Sequence, residues 1–390
     1  MPLPSSNWNY PTTIWFGNGR IGEVASACRQ LRIKRPLLVT DEALVKLDIT
    51  NTVCEKLRTA PIDFTLFSDV QGNPTDTNVA AGIQCYRQQH SDGVIAFGGG
   101  SAIDAAKTIA LVAGQSRPLW DFEDKGDNWQ RADSRAIAPI VAIPTTAGTG
   151  SEVGRAAVIL DQQVHTKKII FHPRMLPGII ISDPELCLGL PPNITAWTGV
   201  DALVHALEAY CAPGFHPMAD GIAIEAIRMI VDYLPLAYAD GSNLEARGHM
   251  LVAASMGATA FQKGLGSIHS VSHQLGALYN VQHGLANAIL LPYGMRQNAA
   301  AINQRMAHLC RVLAIADPGT ESMINYLLEL RQRLGIPHSL DQIGIDDQRA
   351  EEIGRMALAD SCTPTNARPL GAGDLEQLFR AAQCGALDSL

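Results

Sequence analysis

The chain has 390 residues, 47% of them hydrophobic and 17% charged, with a formal net charge of −8. This composition is globular rather than disordered, the length suggests two domains, and the acidic balance argues against a nucleic-acid partner, which selects a basic face. No apolar run is long enough to span a bilayer, and the opening MPLPSSNWNYPTT lacks the basic stretch and apolar core of a signal peptide.

The eight cysteines are scattered and form no C-x-x-C pair, so reduced thiols in a cytoplasm fit best. RPLLVTD (35–41) is the first β-rich run. FTLF (64–67), GVIAFGGG (93–100), APIVAIPTT (138–146), AAVIL (156–160), KKIIF (167–171) and GIIISD (178–183) follow. Helical patterns occupy 20–31, 76–89 and 101–113 between the early strands. Strands alternating with helices predict a parallel sheet covered by helices. The character changes at DPELCLGLPPN (183–193), and beyond it the strand signal fades. Ile227, Ile230, Val231 and Leu234 keep helical spacing and stop at Pro235; further helical patterns cover 244–262, 284–298, 301–314, 321–334, 347–358 and 373–383. The expected architecture is α/β plus all-α, with a sheet-based domain over 1–190 and a helical domain over 191–390.

Two loops in the first half carry ligand chemistry. AFGGGSAIDAAKTIA (96–110) is an apolar strand, three glycines and a helix. Glycines let backbone approach a ligand, and the first helical amides offer unpaired N–H groups at a positive dipole end, which suits a pyrophosphate. A tight structural turn accounts for the same glycines. IPTTAGTGSEV (143–153) again leaves a strand and offers the hydroxyls of Thr145, Thr146, Thr149 and Ser151. Asp41 ends the first β-run, where a carboxylate accepts from a ribose 2′-OH and repels a 2′-phosphate, favouring NAD over NADP; the position equally suits a helix cap.

The second half carries an unusual set of polar groups on apolar helices. In VDALVHALEAY (200–210) Asp201 and His205 are four apart and share a helix face; His269 and His273 repeat that spacing in IHSVSHQLGALYNVQHG (268–284), which ends with His283. Thr198 reads as an N-cap with Asp201 three residues on, which gives Asp201 a structural alternative but does not explain the histidines. Three histidines and a carboxylate suit a borderline divalent cation such as Fe(II) or Zn(II).

The motifs GGGSAIDAAK, IPTTAGTGSEV, TGVDALVHALEAY, GLGSIHSVSHQLGALYNVQHGLANAILLPY and DSCTPTNARPL together resemble the iron-containing (group III) alcohol dehydrogenase family over nearly the whole chain. The resemblance implies an N-terminal Rossmann-like domain, a C-terminal helical domain in a dehydroquinate synthase-like architecture, and an active site in the cleft between them. It implies metal ligands at Asp201, His205, His269 and His283, with Asp201, His269 and His273 as catalytic residues and His273 beside the nicotinamide. Asp41, Asn73, Gly99, Gly100, Ser101, Asp104, Thr145, Thr146, Thr149 and Lys167 fall at or near dinucleotide-contacting positions, and Cys362 in a C-terminal loop near the active site. The implied activity is metal-dependent hydride transfer between NAD(H) and a small primary alcohol or its aldehyde, in a homodimer or larger homo-oligomer.

Other readings stand beside it: a lyase of the dehydroquinate synthase type, a glycerol-dehydrogenase-like enzyme, a non-enzymatic NAD-binding or scaffolding protein, and a reductase of an acid-bearing aldehyde such as a semialdehyde or phosphonoaldehyde. Arg155 and Lys263 motivate the last, as two cations that would sit near the reacting carbon if both face the cleft.

Overall fold

A computed structural model describes residues 11–60 and 62–390. Most of the N-terminal stretch read above for a leader lies outside the described residues. The described chain separates into two compact units, one reaching to Gly189 and the other spanning Leu190–Leu390.

The first unit is built on eight strands: β1 (Thr13–Phe16), β2 (Pro36–Val39), β3 (Thr65–Phe67), β4 (Gly93–Gly98), β5 (Ile140–Pro144), β6 (Ala156–Asp161), β7 (Thr166–Phe171) and β8 (Ile179–Ser182). Its helices are α1 (Val24–Gln30), α2 (Asp48–Thr59), α3 (Asp76–Gln88) and α4 (Gly100–Val112). Six strands form one parallel sheet in the order β1-β8-β5-β4-β2-β3, a Rossmann-like arrangement. Strands β2, β4, β5 and β8 are buried at every position, as unbroken apolar runs must be when helices cover both faces. The register stacks Leu38 beside Ile95, and Ile95 beside Val141, at the centre of the core.

The sequence reading places β6 and β7 among the parallel strands. They form instead a separate antiparallel pair joined by the turn after Asp161. Their alternating burial, inward at Ala157, Ile159 and Asp161, is the half-buried pattern of such a hairpin. Strand β1 and helix α2 went unread. β1 is an edge strand with exposed Ile14 and Phe16, so no buried run announces it.

The second unit is helical throughout its described residues: α5 (Pro192–Cys211), α6 (Pro217–Ala239), α7 (Leu244–Ala260), α8 (Ser267–Tyr279), α9 (His283–Gln297), α10 (Ala299–Val312), α11 (Thr320–Arg333), α12 (Ala350–Leu358) and α13 (Ala372–Cys384). Helix α5 packs against α6, α7 and α9, and α8 against α9 and α12. Two local expectations fail. Helix α6 runs through Pro235 to Ala239, because Leu234 and Ala237 are buried on either side and hold the last turn against the lost N–H. Thr198 is not an N-cap: α5 already starts at Pro192, a favoured first helical residue, and the Thr198 hydroxyl donates back to Ile194 O at 2.9 Å. No helix among the described residues is long and apolar enough to cross a membrane.

Ile95 is fully buried, whereas Val164, in the β6–β7 turn, is 57% exposed. Ile95→Ala should cost about 2–5 kcal/mol and Val164→Ala under about 0.5 kcal/mol. Thermal unfolding of the two variants checks this; equal shifts would mean that the sheet centre is not the core of its unit.

Candidate functional site

Strands β5, β4 and β2 are neighbours, so the loops leaving their carboxyl ends lie side by side where the strand order reverses. Gly98 ends β4 with φ 147°, a conformation that favours glycine. A Cβ on Gly100 would lie 2.4 Å from Thr149 Cγ2, so the two predicted loops pack directly on each other. Thr145 N–H donates to Gly98 O at 3.0 Å, and the Ser101 hydroxyl donates to Gly72 O at 2.5 Å, which ties the segment before Asn73 to the start of α4. Lys167 stands on β7 opposite Leu160.

Two carboxylates in this region are also structural. Asp41 Oδ1 accepts from the N–H groups of Ala43 (3.0 Å) and Leu44 (2.8 Å), the capping alternative weighed above. Asp104 accepts from the Ser151 hydroxyl and, at 2.8 Å, from Val158 N–H. Lys107 went unread because nothing in its local pattern marks it. It is fully buried and donates to the carbonyls of Ser151 (2.9 Å) and Ala156, with Asp104 at 3.5 Å. Burial pushes its ammonium below the ordinary lysine range against the pull of Asp104.

In the helical unit, α5 supplies Asp201 and His205, α8 supplies His269, and α9 opens with His283. One candidate ligand atom from each lies within 4.8 Å of all the others; the first three residues are buried and His283 is half-buried. Asp201 Oδ1 is 3.6 Å from His283 Nε2 and 4.0 Å from His205 Nε2. The His205 ring stacks on His269 at 4.7 Å between centroids. Asn287, one turn beyond His283, points its amide into this group: Nδ2 donates to Asp201 Oδ1 at 2.6 Å and lies 3.2 Å from both His269 Nε2 and His283 Nε2. Glu208, one turn beyond His205, faces His269 Nδ1 at 2.6 Å. Burial presses the His269 imidazole down, but the Glu208 hydrogen bond and charge outweigh it and lift it above the ordinary histidine range.

Residues 11–184 match the iron-containing alcohol dehydrogenase family, and residues 195–383 match the C-terminal domain described as Fe-containing alcohol dehydrogenase family. The chain belongs to the iron-containing alcohol dehydrogenases. It is therefore an oxidoreductase acting on CH–OH groups. It is 35% identical to an NAD-dependent methanol dehydrogenase of Bacillus methanolicus, over 97% of this chain and 100% of that one. It is 36% identical to a 4-hydroxybutyrate dehydrogenase of Cupriavidus necator, over 95% and 98% of the two chains. Among solved structures, 1,3-propanediol oxidoreductase superimposes with a TM-score of 0.91 at 35% identity, covering 97% of this chain and 100% of that one.

Within this dehydrogenase, His273 lies beside the tetrad, its ring stacked on His283 at 5.4 Å and edge-on to His269 at 6.0 Å. Its Nδ1 faces Asp360 Oδ2 at 2.9 Å, and Asp360 Oδ1 accepts from Cys362 N–H at 2.9 Å. Burial alone would raise the Asp360 carboxyl; His273 and the Cys362 N–H hold it below its usual range. Glu208, Asn287 and Asp360 were not read as site residues. Glu208 and Asn287 do share helix faces with His205 and His283, three and four residues away, and that spacing was the available signal.

The two cations offered for an acidic substrate each have a partner within the protein. Lys263 is buried, and its Nζ donates to Asp220 Oδ1 at 2.5 Å and to Tyr210 O at 3.2 Å. A buried ammonium needs an anion, and α6 supplies one. Arg155 lays its guanidinium over the Phe171 ring at 5.6 Å. Cys362 is buried, and burial together with Asp360 pushes its thiol well above the ordinary cysteine range. Brief alkylation of the native protein at neutral pH should label exposed Cys384 and spare Cys362, as peptide mass mapping would read. Rapid labelling of Cys362 would mean that the loop carrying it opens.

Proposed function

We propose that this dehydrogenase interconverts a small primary alcohol and its aldehyde with NAD(H), using a divalent cation, Fe(II), held by Asp201, His205, His269 and His283. The convergence of those four ligand atoms within 4.8 Å in a buried setting carries the reading. One carboxylate and three imidazoles aim lone pairs at a common region, and a cation is the partner that such a donor set fits. When bound, the ion supplies Lewis-acid polarisation of the substrate oxygen. The family description supports iron, and Zn(II) suits the same donors.

The protein's own residues do the rest. His273, with Nδ1 held by Asp360, keeps Nε2 available to hold or pass on a proton. The amides that open α4 at Gly100 and Ser101, beside Thr149, suit the cofactor pyrophosphate, and Thr145, Thr146, Asn73, Asp104 and Lys167 are further candidates for cofactor contact. The second oxygen of Asp41 remains for a ribose hydroxyl, and its charge disfavours a 2′-phosphate. NAD dependence in the Bacillus methanolicus relative supports the same cofactor here. The reading includes a homo-oligomer in a cytoplasm, consistent with eight free cysteines.

The 4-hydroxybutyrate dehydrogenase relative supports a second substrate reading, an aldehyde bearing a distant carboxylate. Against it, Lys263 is buried against Asp220, a carboxylate it shares with Arg305. Family membership leaves the lyase alternative without support.

After reconstitution with Fe(II) or Zn(II), the protein should oxidise NADH with butyraldehyde at least as efficiently as with succinic semialdehyde. His283→Ala should lose both activity and one equivalent of metal while staying folded. A kcat/KM more than about tenfold higher for the semialdehyde would move the assignment to the acid-bearing class, and full metal occupancy in His283→Ala would remove that residue from the ligand set.

Cofactor choice gives an independent check. Asp41→Asn keeps a capping oxygen and removes only the charge. It should improve kcat/KM for NADPH relative to NADH by about tenfold or more, equivalent to ~1.4 kcal/mol. Unchanged selectivity would reduce Asp41 to its capping role.

A further inference from the structure

We propose that Glu208 is a positioning residue that fixes the tautomer of His269, and thereby sets how tightly the tetrad holds its cation. The proposal rests on the metal reading above and assigns a function to a residue outside the ligand set.

Both oxygens of Glu208 are committed, and to different kinds of donor. Oε1 accepts the backbone N–H of Ile268 at 2.8 Å; Oε2 faces His269 Nδ1 at 2.6 Å. An ionised carboxylate only accepts, so the proton of a neutral His269 must sit on Nδ1. Nε2 is then left with its lone pair, and Nε2 is the atom turned toward Asn287 and, through it, toward Asp201 and His283. Carboxylates that fix a ligand histidine in this way typically account for 10–100-fold in metal affinity.

The start of α8 is shaped around this carboxylate. Gly266 precedes the helix, and a Cβ there would lie 3.0 Å from Glu208 Oε1 and 2.6 Å from Asn366 Oδ1. Ile268 N–H is one of the first-turn amides that have no partner within the helix, and Glu208 satisfies it from α5. Asn366 does the same for Ser267 N–H at 3.0 Å without touching His269. One side chain therefore registers α5, which carries two ligands, against α8, which carries a third.

Glu208→Gln is nearly isosteric but cannot serve both donors. Its single oxygen accepts from Ile268 or from His269, and its NH2 group faces whichever remains. If it faces His269, the imidazole must switch to the Nε2–H tautomer, which places a proton where the lone pair was. Glu208→Asp keeps two acceptors and the charge on a shorter stem, so it should recover part of the function.

The test uses the full-length protein labelled with 15N-histidine. In the metal-free protein at alkaline pH, with the imidazole neutral, 15N chemical shifts should report the Nδ1–H tautomer for His269, its resonance assigned by loss in His269→Gln. Glu208→Gln should shift that resonance toward the Nε2–H form. Chelator competition with Co(II) should give a Kd about 10–100-fold weaker for Glu208→Gln, an intermediate value for Glu208→Asp, and a change under about threefold for Asn366→Ala.

A wild-type His269 in the Nε2–H form would overturn the proposal even if neither Glu208 variant folded. So would an unchanged Kd in Glu208→Gln, or an equal loss in Asn366→Ala, which would leave Glu208 only a helix cap. Failure of the wild type to bind Co(II) at all, with the tautomer as stated, would instead count against the metal reading and leave the positioning role standing.

Discussion

Three imidazoles and a carboxylate gathered in a protein interior are costly unless something positive or hydrogen-donating stands among them. That constraint orders the helical unit. Asp201 and His205 occupy buried positions of α5, where apolar side chains would pack at no electrostatic cost. Around them the chain spends further buried polar groups: the Asn287 amide against Asp201, and Glu208 against His269 and Ile268 N–H. Hydrogen bonds to charged groups contribute about 1.5–3 kcal/mol each, so the network offsets part of its own desolvation. It does not by itself account for why the four groups are there; a cation held among them, as proposed above, would.

The α/β unit solves a different problem. Its ligand would bring phosphates, so the protein must present donors without letting the loops wander. Lys107 is the fastening. A fully buried ammonium that donates to two backbone carbonyls, one on each side of Gly154, fixes the end of the threonine loop to the first residue of β6. Asp104 grips Ser151 and Val158 from the same helix, α4, whose first amides would meet the ligand. Loop order that exists before binding need not be created by it, which lowers the entropic cost of holding the cofactor.

What was legible in the sequence follows the range of the interaction involved. Central strands β2, β4, β5 and β8 were visible because parallel strands buried on both faces are unbroken apolar runs. Asp201, His205, His269 and His283 were visible because helical spacing puts ionisable groups on faces that otherwise read as core. The structure gathers those four, and their assignment as ligands remains the proposal made above. The pairings that decide charge were not legible. Lys263 looked available as a cation because its anion, Asp220, lies on another helix, and sequence distance conceals it. Lys107 looked like any surface lysine on α4. Thr198 had the look of a cap only because the true start of α5, six residues earlier, carries a proline instead of a capping hydroxyl.

Helix α8 shows how one arrangement yields two behaviours. His269 and His273 lie one turn apart, and each turns Nδ1 to a carboxylate. Glu208 stands on a helix and is locked by a helix amide, so the orientation of His269 is part of the scaffold. Asp360 stands in the segment after α12, and its other oxygen is held by the backbone of Cys362 in that same segment. Thr363 fastens the segment to α8 through Ser270 Oγ at 2.7 Å and back to Ala357 O at 2.6 Å. Gln274 Nε2 on α8 also donates to Asp360 Oδ2 at 3.3 Å, and Thr365 and Asn366 tie the same segment to Leu265 and Ser267, so the orientation of His273 depends on a loop fastened to the helices, while that of His269 depends on a helix-borne carboxylate. A ligand histidine gains from rigidity, since lost geometry is lost affinity. A histidine that holds and releases a proton needs a partner that fixes its tautomer while Nε2 stays unencumbered. The two carboxylates, alike in chemistry, differ in what holds them, and that difference matches the separate roles proposed above for the two histidines.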